Sequence, residues 1–514
     1  MNGNELKKEF GDYQTPNTFS DKICDFLKNT LLLSPEIILE PTSGVGNFIQ
    51  SSLKYFNDSI RKIYAIEINQ EYCKICKDRI TDERLTIFND NFFTFDLSKI
   101  KTDKETLIIG NPPWATNSNL DFNLPAKTNF KGLTGTDAIT GSSNFDICEY
   151  IILELIDHFK QDNVTIAMLC KTSVARNIYE EMHRKNIQLK QFKMINFNSN
   201  KIFKINASAC LLVISFDSKI KNIARCECYD IDHPQKLLTS ISFKNGMLFQ
   251  ENNFNFDFEG KCQLEWRQGV KHDCSQIMEL KNVSNGKYVN KLKQEIILED
   301  TLIFPLLKSS SFKKNIISKG FNKYVIVTQK KVRQDTSYIE HIAPLTWKYL
   351  NENVEFFSKR KSSIYNGAPN FSMFGIGDYS YSRYKVGISG FYKKPVFSLV
   401  YNEDDLQKPV MLDDTTYFLS FDDYELAYVC MLVLNDSTIQ EFLYSISFKD
   451  AKRPYTKKVL QRLDFNKALK VVTLQKLEKL EKELGLIPFI RHDMFERFKE
   501  YIKEKSLNTS AGGE

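Results

Sequence analysis

Long hydrophobic runs are missing from this chain. Its longest apolar stretches, such as "ACLLVISF" at 209–216, are far too short to span a bilayer, and no basic-then-apolar leader opens it. Those absences predict no membrane association and a cytoplasmic location. Ordered cysteine pairs are scarce as well. Eleven cysteines, an odd number, are scattered along the sequence, which argues for reduced thiols rather than a disulfide framework. "CKIC" (Cys73–Cys76) and "CEC" (Cys226–Cys228) have metal-ligand character, but neither has a matching second pair, and no metal is expected. The third scarcity is one glycine. "EPTSGVGNF" (40–48) carries Gly44 and Gly46, but Ile49 stands where a dinucleotide loop of the form G-x-G-x-x-G needs its last glycine. A ligand without a pyrophosphate suits that loop better.

What is present suits a chain with a sizeable core. Hydrophobic residues make up 42% and charged residues 26% of 514 positions, enough for two to four domains. The net charge of +6 is unevenly placed. Residues 1–221 hold 27 basic and 27 acidic side chains, which leaves 43 and 37 in residues 222–514. The excess is either ordinary solubilising charge or the footprint of a polyanion held by the C-terminal part.

The first 220 residues alternate short β-branched runs with helix-like segments. Strand candidates are 36–41, 62–69, 85–90, 106–111, 164–171, 191–197 and 209–216, with helices near 19–31, 47–56, 145–159 and 174–184. That pattern predicts an α/β, Rossmann-like, doubly wound and mostly parallel sheet of seven strands. Ligands of such sheets bind beyond the carboxyl ends of the strands. The Asn-, Thr-, Ser- and Gly-rich stretch 115–143 reads as a lid or binding loop. Beyond about residue 222 strands become irregular and aromatic residues rise, as an α+β recognition domain would show. The expected division is 1–225, 226–455 and a helical segment 456–514. In that last part Leu474, Leu477, Leu480 and Leu484 recur near helical spacing, either packing on the preceding domain or forming a dimer seam.

The chemistry concentrates at the strand ends. The first strand leads into Gly44 and Gly46, where the backbone can approach a ligand. The second ends in Glu67, suited to ribose hydroxyls, and the third in Asp90. The fourth runs into "NPPW", Asn111-Pro112-Pro113-Trp114. Prolines fix the backbone and remove donors, so this loop is stiff and rich in acceptors. The Asn111 side-chain oxygen and the Pro112 carbonyl can accept both protons of one exocyclic amine. That frees the nitrogen lone pair to attack a methyl sulfonium, and Trp114 offers a face for an unstacked base. S-adenosylmethionine, which has a ribose but no phosphate, fits the glycine loop.

These residues resemble the amino-group DNA methyltransferases of the gamma class, which methylate adenine N6. "FGDYQTP" (10–16) looks like the family's cofactor segment, "EPTSGVGNF" like its glycine motif with Glu40 where Asp is commoner, and "NPPW" like its catalytic tetrapeptide. "NFDICEY" (144–150), "MLCKTSVAR" (168–176) and "IFKINASACLLVISF" (202–216) look like the blocks that follow. The resemblance implies S-adenosylmethionine held by Tyr13, Gln14, Thr15, Glu40, Pro41, Gly44, Gly46, Glu67, Ile68, Asp90, Asn91 and Asn111. It implies catalysis by Asn111, Pro112, Pro113 and Trp114, and a flipped adenine stacked on Trp114 and Phe203. "EWRQGVKHD" (265–273) and "FPLLKSSSF" (304–312) resemble, more loosely, the specificity domain of TaqI-like enzymes. The implied partner is double-stranded DNA, with a restriction endonuclease encoded nearby and a monomeric enzyme expected. Lys330, Lys331, Arg333, Arg360 and Lys361, chosen for clustering, are candidates for gripping phosphates.

Rival readings share parts of this chemistry. A cytosine-N4 methyltransferase would use the same loop, although Asn at its first position points to adenine. A protein-glutamine methyltransferase would end soon after the sheet, whereas about 290 residues follow here and hold the positive excess. A modification subunit served by a separate specificity protein would carry a helical domain before the cofactor segment. "DFEGK" (257–261) contains the acid-x-lysine triplet of metal nucleases but reads as a surface turn. A DNA-binding protein without activity would have no use for an intact "NPPW".

Overall fold

All seven apolar runs of the N-terminal part form strands of one sheet in the computed structural model, which describes residues 14–114, 146–216, 219, 223–244, 246–251, 258–284, 286–403 and 408–511. They are β1 (Ile37–Glu40), β2 (Lys62–Glu67), β3 (Leu85–Asn89), β4 (Thr106–Gly110), β5 (Val164–Lys171), β6 (Gln191–Phe197) and β7 (Ala209–Ser215). Three further strands, β8 (Cys226–Asp230), β9 (Thr239–Lys244) and β10 (Met247–Glu251), extend it, in the order β10-β9-β8-β6-β7-β5-β4-β1-β2-β3. β1 to β5 run parallel, while β7 lies antiparallel between β5 and β6.

The sheet therefore has ten strands rather than the expected seven, and the first compact unit runs to Asn252. The reason is β8, which pairs in parallel with β6, Phe192 opposite Cys226 and Met194 opposite Cys228. Cys226 and Cys228 are buried there as sheet core, not set out as ligands. All eleven cysteines are free and buried, and no group of side chains among the described residues could hold a metal ion.

Burial on both faces explains why the strands are continuously apolar. Helices α1 (Asn17–Asp25), α2 (Asn47–Phe56) and α3 (Gln70–Arg79) supply Phe19, Ile23, Phe48, Ile49 and Cys76 to a cluster with Ile38, Leu107, Ile109, Ala167 and Leu211 of the strands. Intervening residues such as Leu39, Ile108 and Ile166 are also fully buried, and α4 (Ile147–Phe159) and α5 (Thr172–Arg184) pack on β5 and on each other. Strand order reverses between β1 and β4, so the loops after these two neighbours open a crevice at the carboxyl edge. α3 has no counterpart among the expected helices, since its polar first turn hides the periodicity.

The second unit, residues 253–514, contains two sheets. One orders β11 (Arg267–Gln268), β21 (Thr416–Phe421), β18 (Tyr384–Ser389), β19 (Phe397–Val400) and β16 (Ile316–Ile317). The other orders β14 (Glu295–Ile297), β13 (Lys287–Asn290), β12 (Glu279–Ser284), β17 (Lys323–Ile326), β15 (Ile303–Leu307) and β20 (Met411–Leu412). Helices α6 (Tyr424–Asn435), α7 (Leu474–Glu483) and α8 (His492–Ala511) pack together, α6 lying on β18, β19 and β21. Of the leucine stripe only Leu477 is fully buried. Glu481 on the same helix accepts from the Tyr428 hydroxyl at 2.6 Å and the Phe489 amide at 2.9 Å, pinning the tail. Glu259 of the supposed surface turn is instead held, almost buried, by Arg462 Nε at 2.9 and 3.1 Å, so it is committed to an ion pair. No helix among the described residues is long and apolar enough to cross a membrane.

One buried charge carries a measurable cost. Lys385 in β18 is 1% exposed, and its Nζ donates to the Ser382 carbonyl at 2.6 Å. Burial pushes its amine down to about 7, with Asp422 opposing. Below that value the amine is charged whether the chain is folded or not, and the burial penalty is at full strength. Between about 7 and the unfolded value of 10.5 the unfolded chain holds a proton that the folded one has released, so stability rises with pH. Lys385→Met should stabilise the protein by about 2–4 kcal/mol at pH 7 and flatten the pH dependence between 7 and 10 in urea titrations.

Candidate active site

The crevice is assembled by one carboxylate. Glu67, the last residue of β2, is buried, and its two oxygens accept from the Gly44 amide at 2.7 Å and the Asn69 amide at 2.8 Å. The end of β2 thereby holds the glycine loop that follows β1. Gly44 (φ +51°) and Gly46 (φ +83°) both take left-handed backbone, which side chains rarely tolerate. A Cβ at Gly44 would lie 2.6 Å from Gln14 Oε1, and one at Gly46 would lie 2.5 Å from Cys76 Sγ. Gln14 lies against Gly44, and the Thr15 carbonyl accepts from Asn47 Nδ2 at 2.8 Å. Arg79 on α3 clamps the loop from outside, donating to the Val45 carbonyl, Asn47 Oδ1 and Gln50 Oε1. Cys76 of the "CKIC" motif is therefore the packing floor of the glycine loop.

Glu40 and Pro41 are buried where β1 leaves the sheet. Burial, opposed by the Ile49 amide and reinforced by the Glu67 charge, holds the Glu40 carboxyl well above the usual carboxylate range. Its Oε2 is buried and has no hydrogen-bond partner among the described residues. A Cβ at Gly110, the last residue of β4, would lie 3.7 Å from Glu40 Cγ, so the two strand ends are in contact. Ile68 is 50% exposed beside Glu67, an apolar surface at the strand end. Asp90 is exposed, its amide donating to the Glu67 carbonyl at 3.1 Å, and Asn91 turns the chain away through a bond from the Phe93 amide at 3.0 Å.

Asn111-Pro112-Pro113-Trp114 leaves β4 with every described peptide trans. Pro112 is buried, and Asn111, Pro113 and Trp114 are half-buried. Trp114 is aimed by its Nε1, which donates to the Leu169 carbonyl at 3.2 Å. That carbonyl lies on β5 beyond the point where β4 ends, so the sheet leaves it for the indole. The Trp114 and Phe203 rings meet edge to face with centroids 5.6 Å apart, and Phe203 is buried against Phe19 and Phe197. A base stacked between both rings would need them parallel and one ring further apart; in this arrangement it stacks on one face at a time.

The sequence reading missed several supports. Asn69 caps α3, and Asn89 Nδ2 donates to the Glu67 and Ile68 carbonyls, fixing the β2 end. Lys171, at the end of β5, pairs with Asp146 at 2.8 Å, and Asp146 also caps α4. Only the Asn and Asp residues ahead of the helices could have signalled these. Tyr13 and the 115–143 stretch lie outside the described residues.

Of the five basic candidates, Lys330, Lys331, Arg333 and Lys361 are exposed in the second unit. Arg360 has different surroundings. It is half-buried, donates to the Phe357 and Ser372 carbonyls at 3.1 and 2.7 Å, and stacks 3.7 Å over the Tyr365 ring. Its guanidinium holds a loop together.

Gly46→Ala should lower unfolding stability by about 2 kcal/mol, combining left-handed strain with the clash on Cys76. Adding Cys76→Ala should make the pair cost less than the sum of the two single changes in urea denaturation. A strictly additive pair would remove Cys76 from beneath the loop.

With this geometry in view, comparison with known proteins is informative. The N-6 DNA Methylase family model matches residues 1–301. The Type II methyltransferase M.NspV of Nostoc sp. (strain ATCC 29411 / PCC 7524) is 39% identical over 484 residues, 92% of this chain and 99% of that protein. The modification methylase CviBIII of Paramecium bursaria Chlorella virus NC1A is 23% identical over 211 residues, 41% of this chain and 51% of that one. Among solved structures, the ATP-dependent Type ISP restriction-modification enzyme LlaBIII bound to DNA covers 96% of this chain and 39% of its own at 12% identity, and its TM-score of 0.47 is too low to add weight. A family match over more than half the chain and a relative matched almost end to end agree, and the chain belongs to the N-6 DNA methylase family.

Proposed function

We propose that this protein moves a methyl group from S-adenosylmethionine to the N6 amine of a flipped adenine in double-stranded DNA, as the modification enzyme of a Type II restriction-modification system. The observation that carries the reading is the position of Asn111-Pro112-Pro113-Trp114 at the end of β4, whose last residue Gly110 lies against Glu40 and Pro41, where β1 leads into the glycine loop. Family membership and 39% identity to a Type II methyltransferase support the reaction class. The first unit is read as catalytic and the second as the part that recognises DNA. A partner endonuclease and a monomeric enzyme belong to the same reading.

The cofactor fits the residues present. A bare left-handed loop, an acidic acceptor at the end of β2 and the missing third glycine suit a ribose without phosphates. Gln14, Thr15, Glu40, Pro41, Gly44, Gly46, Glu67, Ile68, Asp90 and Asn91 would hold it. When bound, S-adenosylmethionine supplies a methyl group on a positively charged sulfur. A carboxylate oxygen accepts more than one hydrogen bond, so Glu67 can serve ribose hydroxyls while holding the Gly44 amide. Asn111 Oδ1 and the Pro112 carbonyl accept the two protons of the adenine amine, which turns its lone pair out of ring conjugation. Trp114, held by the Leu169 carbonyl, supports the flipped base by stacking, a contribution of about 1–3 kcal/mol.

The test is methyl transfer to unmethylated DNA from labelled cofactor, followed by digestion to nucleosides. Label should appear as N6-methyladenine; N4-methylcytosine would overturn the base assignment, and label in protein would overturn DNA as substrate. Asn111→Ala should slow single-turnover transfer about 100-fold with cofactor affinity within about twofold, because one of two acceptors for the amine is lost. Glu67→Ala should weaken cofactor binding roughly 10-fold or more in calorimetric titration without DNA, since a charged acceptor contributes about 1.5–3 kcal/mol. Unchanged affinity would remove Glu67 from the ribose site.

A further inference from the structure

The second unit holds one loop whose shape is fixed far more tightly than its exposure requires. Lys330, Lys331, Val332 and Arg333 are all exposed, Val332 to 42%. None of the three cations has an ion-pair partner among the described residues. The neighbouring carboxylate, Asp335, is turned away to accept from the Ser337 hydroxyl and amide. Surface loops of this kind are ordinarily loose; this one is tied by side-chain hydrogen bonds.

Two glutamines clamp it. Gln334 folds its side-chain oxygen back to accept from the Lys330 amide at 2.7 Å and the Lys331 amide at 3.3 Å. Gln329, 0% exposed, donates its Nε2 to the Gln334 carbonyl and accepts at its Oε1 from the Met373 amide at 2.8 Å. The Gln329 carbonyl in turn accepts from the Tyr381 hydroxyl at 3.2 Å. Within the clamp Arg333 takes left-handed backbone, φ +64°, a conformation strained for any residue with a Cβ. A glycine would close the same turn without that strain. A buried amide network that maintains strain in an exposed, unpaired cationic tip is a device for presenting that tip in one conformation.

We propose that the Lys330–Arg333 tip is a preformed DNA-reading element, in which Lys330, Lys331 and Arg333 contact backbone phosphates and Val332 rests on base-pair edges in a groove. This rests on the reading of the protein as a DNA methyltransferase and names the part of the second unit that meets the duplex. Three cations around one exposed apolar side chain match a groove with phosphates along its rims and a thymine methyl as an apolar mark. Rigidity matters because an ordered tip loses little entropy on docking and keeps Val332 in one register. Arg360, the remaining arginine of the cluster, is excluded by its internal bonds, and Lys361 lies outside the clamp.

The experiment uses the full-length protein and an unmethylated plasmid library, with methylated positions read by sequencing. Lys330→Gln/Lys331→Gln/Arg333→Gln should lower affinity for duplex DNA about 10-fold or more near 0.1 M salt and reduce the slope of log affinity against log salt by about 2–3, as lost phosphate contacts require. Cofactor affinity should not change. Val332→Ala and Gln334→Ala, which leave the charge intact, should preserve the salt slope but broaden the set of sequences methylated. Gln329→Ala is avoided because its burial could compromise folding. An unchanged salt slope in the triple variant would overturn the phosphate contacts. An unchanged set of methylated sequences in both Val332→Ala and Gln334→Ala would overturn the reading role. Single-stranded RNA competing as well as duplex DNA for wild type but not for the triple variant would assign the tip to a different polyanion. In every arm, N6-methyladenine made by wild type tests the parent reading separately.

Discussion

A carboxylate at the end of a buried strand organises the N-terminal unit. Glu67 is out of water, and a charge so placed is tolerated only when it is hydrogen-bonded. The amides available are those of Gly44 and Asn69, so satisfying the carboxylate and closing the glycine loop are one event. From that bond follow the left-handed glycines, the floor beneath them at Cys76, and the contact of the β1 end with Gly110. The loop that carries Asn111 then begins beside the glycine loop because β1 and β4 are parallel neighbours at the reversal of strand order.

Two carboxyl groups share this corner, and they are not equivalent. Glu67 is surrounded by donors. Glu40 is pushed above the usual carboxylate range, by burial first and by the nearby Glu67 charge second. The Glu67 oxygens are engaged by backbone amides, while Glu40 Oε2 has no hydrogen-bond partner among the described residues. Trp114 shows the same economy of polar groups: a strand carbonyl that β4 leaves uncovered aims the indole, while the ring itself packs edge-on to Phe203.

The second unit uses buried polar side chains to shape loops. Gln329 and Gln334 fix one basic tip, Arg360 ties a neighbouring segment through backbone carbonyls, and Glu279 gathers Lys308 at 2.6 Å and Lys291 at 2.8 Å. Burial works to raise the Glu279 carboxyl, but hydrogen bonds from those two lysines hold it below its ordinary value. Lys308 and nearby His272 belong to the two segments, 304–312 and 265–273, that resemble a specificity domain, so distant stretches of chain meet on one carboxylate. Such networks add little net stability but select one arrangement of loops.

Alternation of apolar runs with amphipathic segments was enough to place β1 to β7 and four of the helices, because a sheet covered on both faces must be apolar along its whole length. The strand-end residues Glu40, Glu67, Asp90 and Asn111 were legible for a related reason: polar residues that end apolar runs fall on the carboxyl edge whatever the details. What the sequence could not decide were matters of long-range pairing. β8 to β10 alternate weakly, and only pairing with β6 made them part of the first sheet. "CKIC" is compatible with a metal until the fold sets Cys76 under Gly46. Arg360 looks like its basic neighbours until Tyr365 and the Ser372 carbonyl close on it. In each case the deciding partner is remote in sequence or set by backbone geometry, and neither periodicity nor composition records which surfaces a chain will bring together.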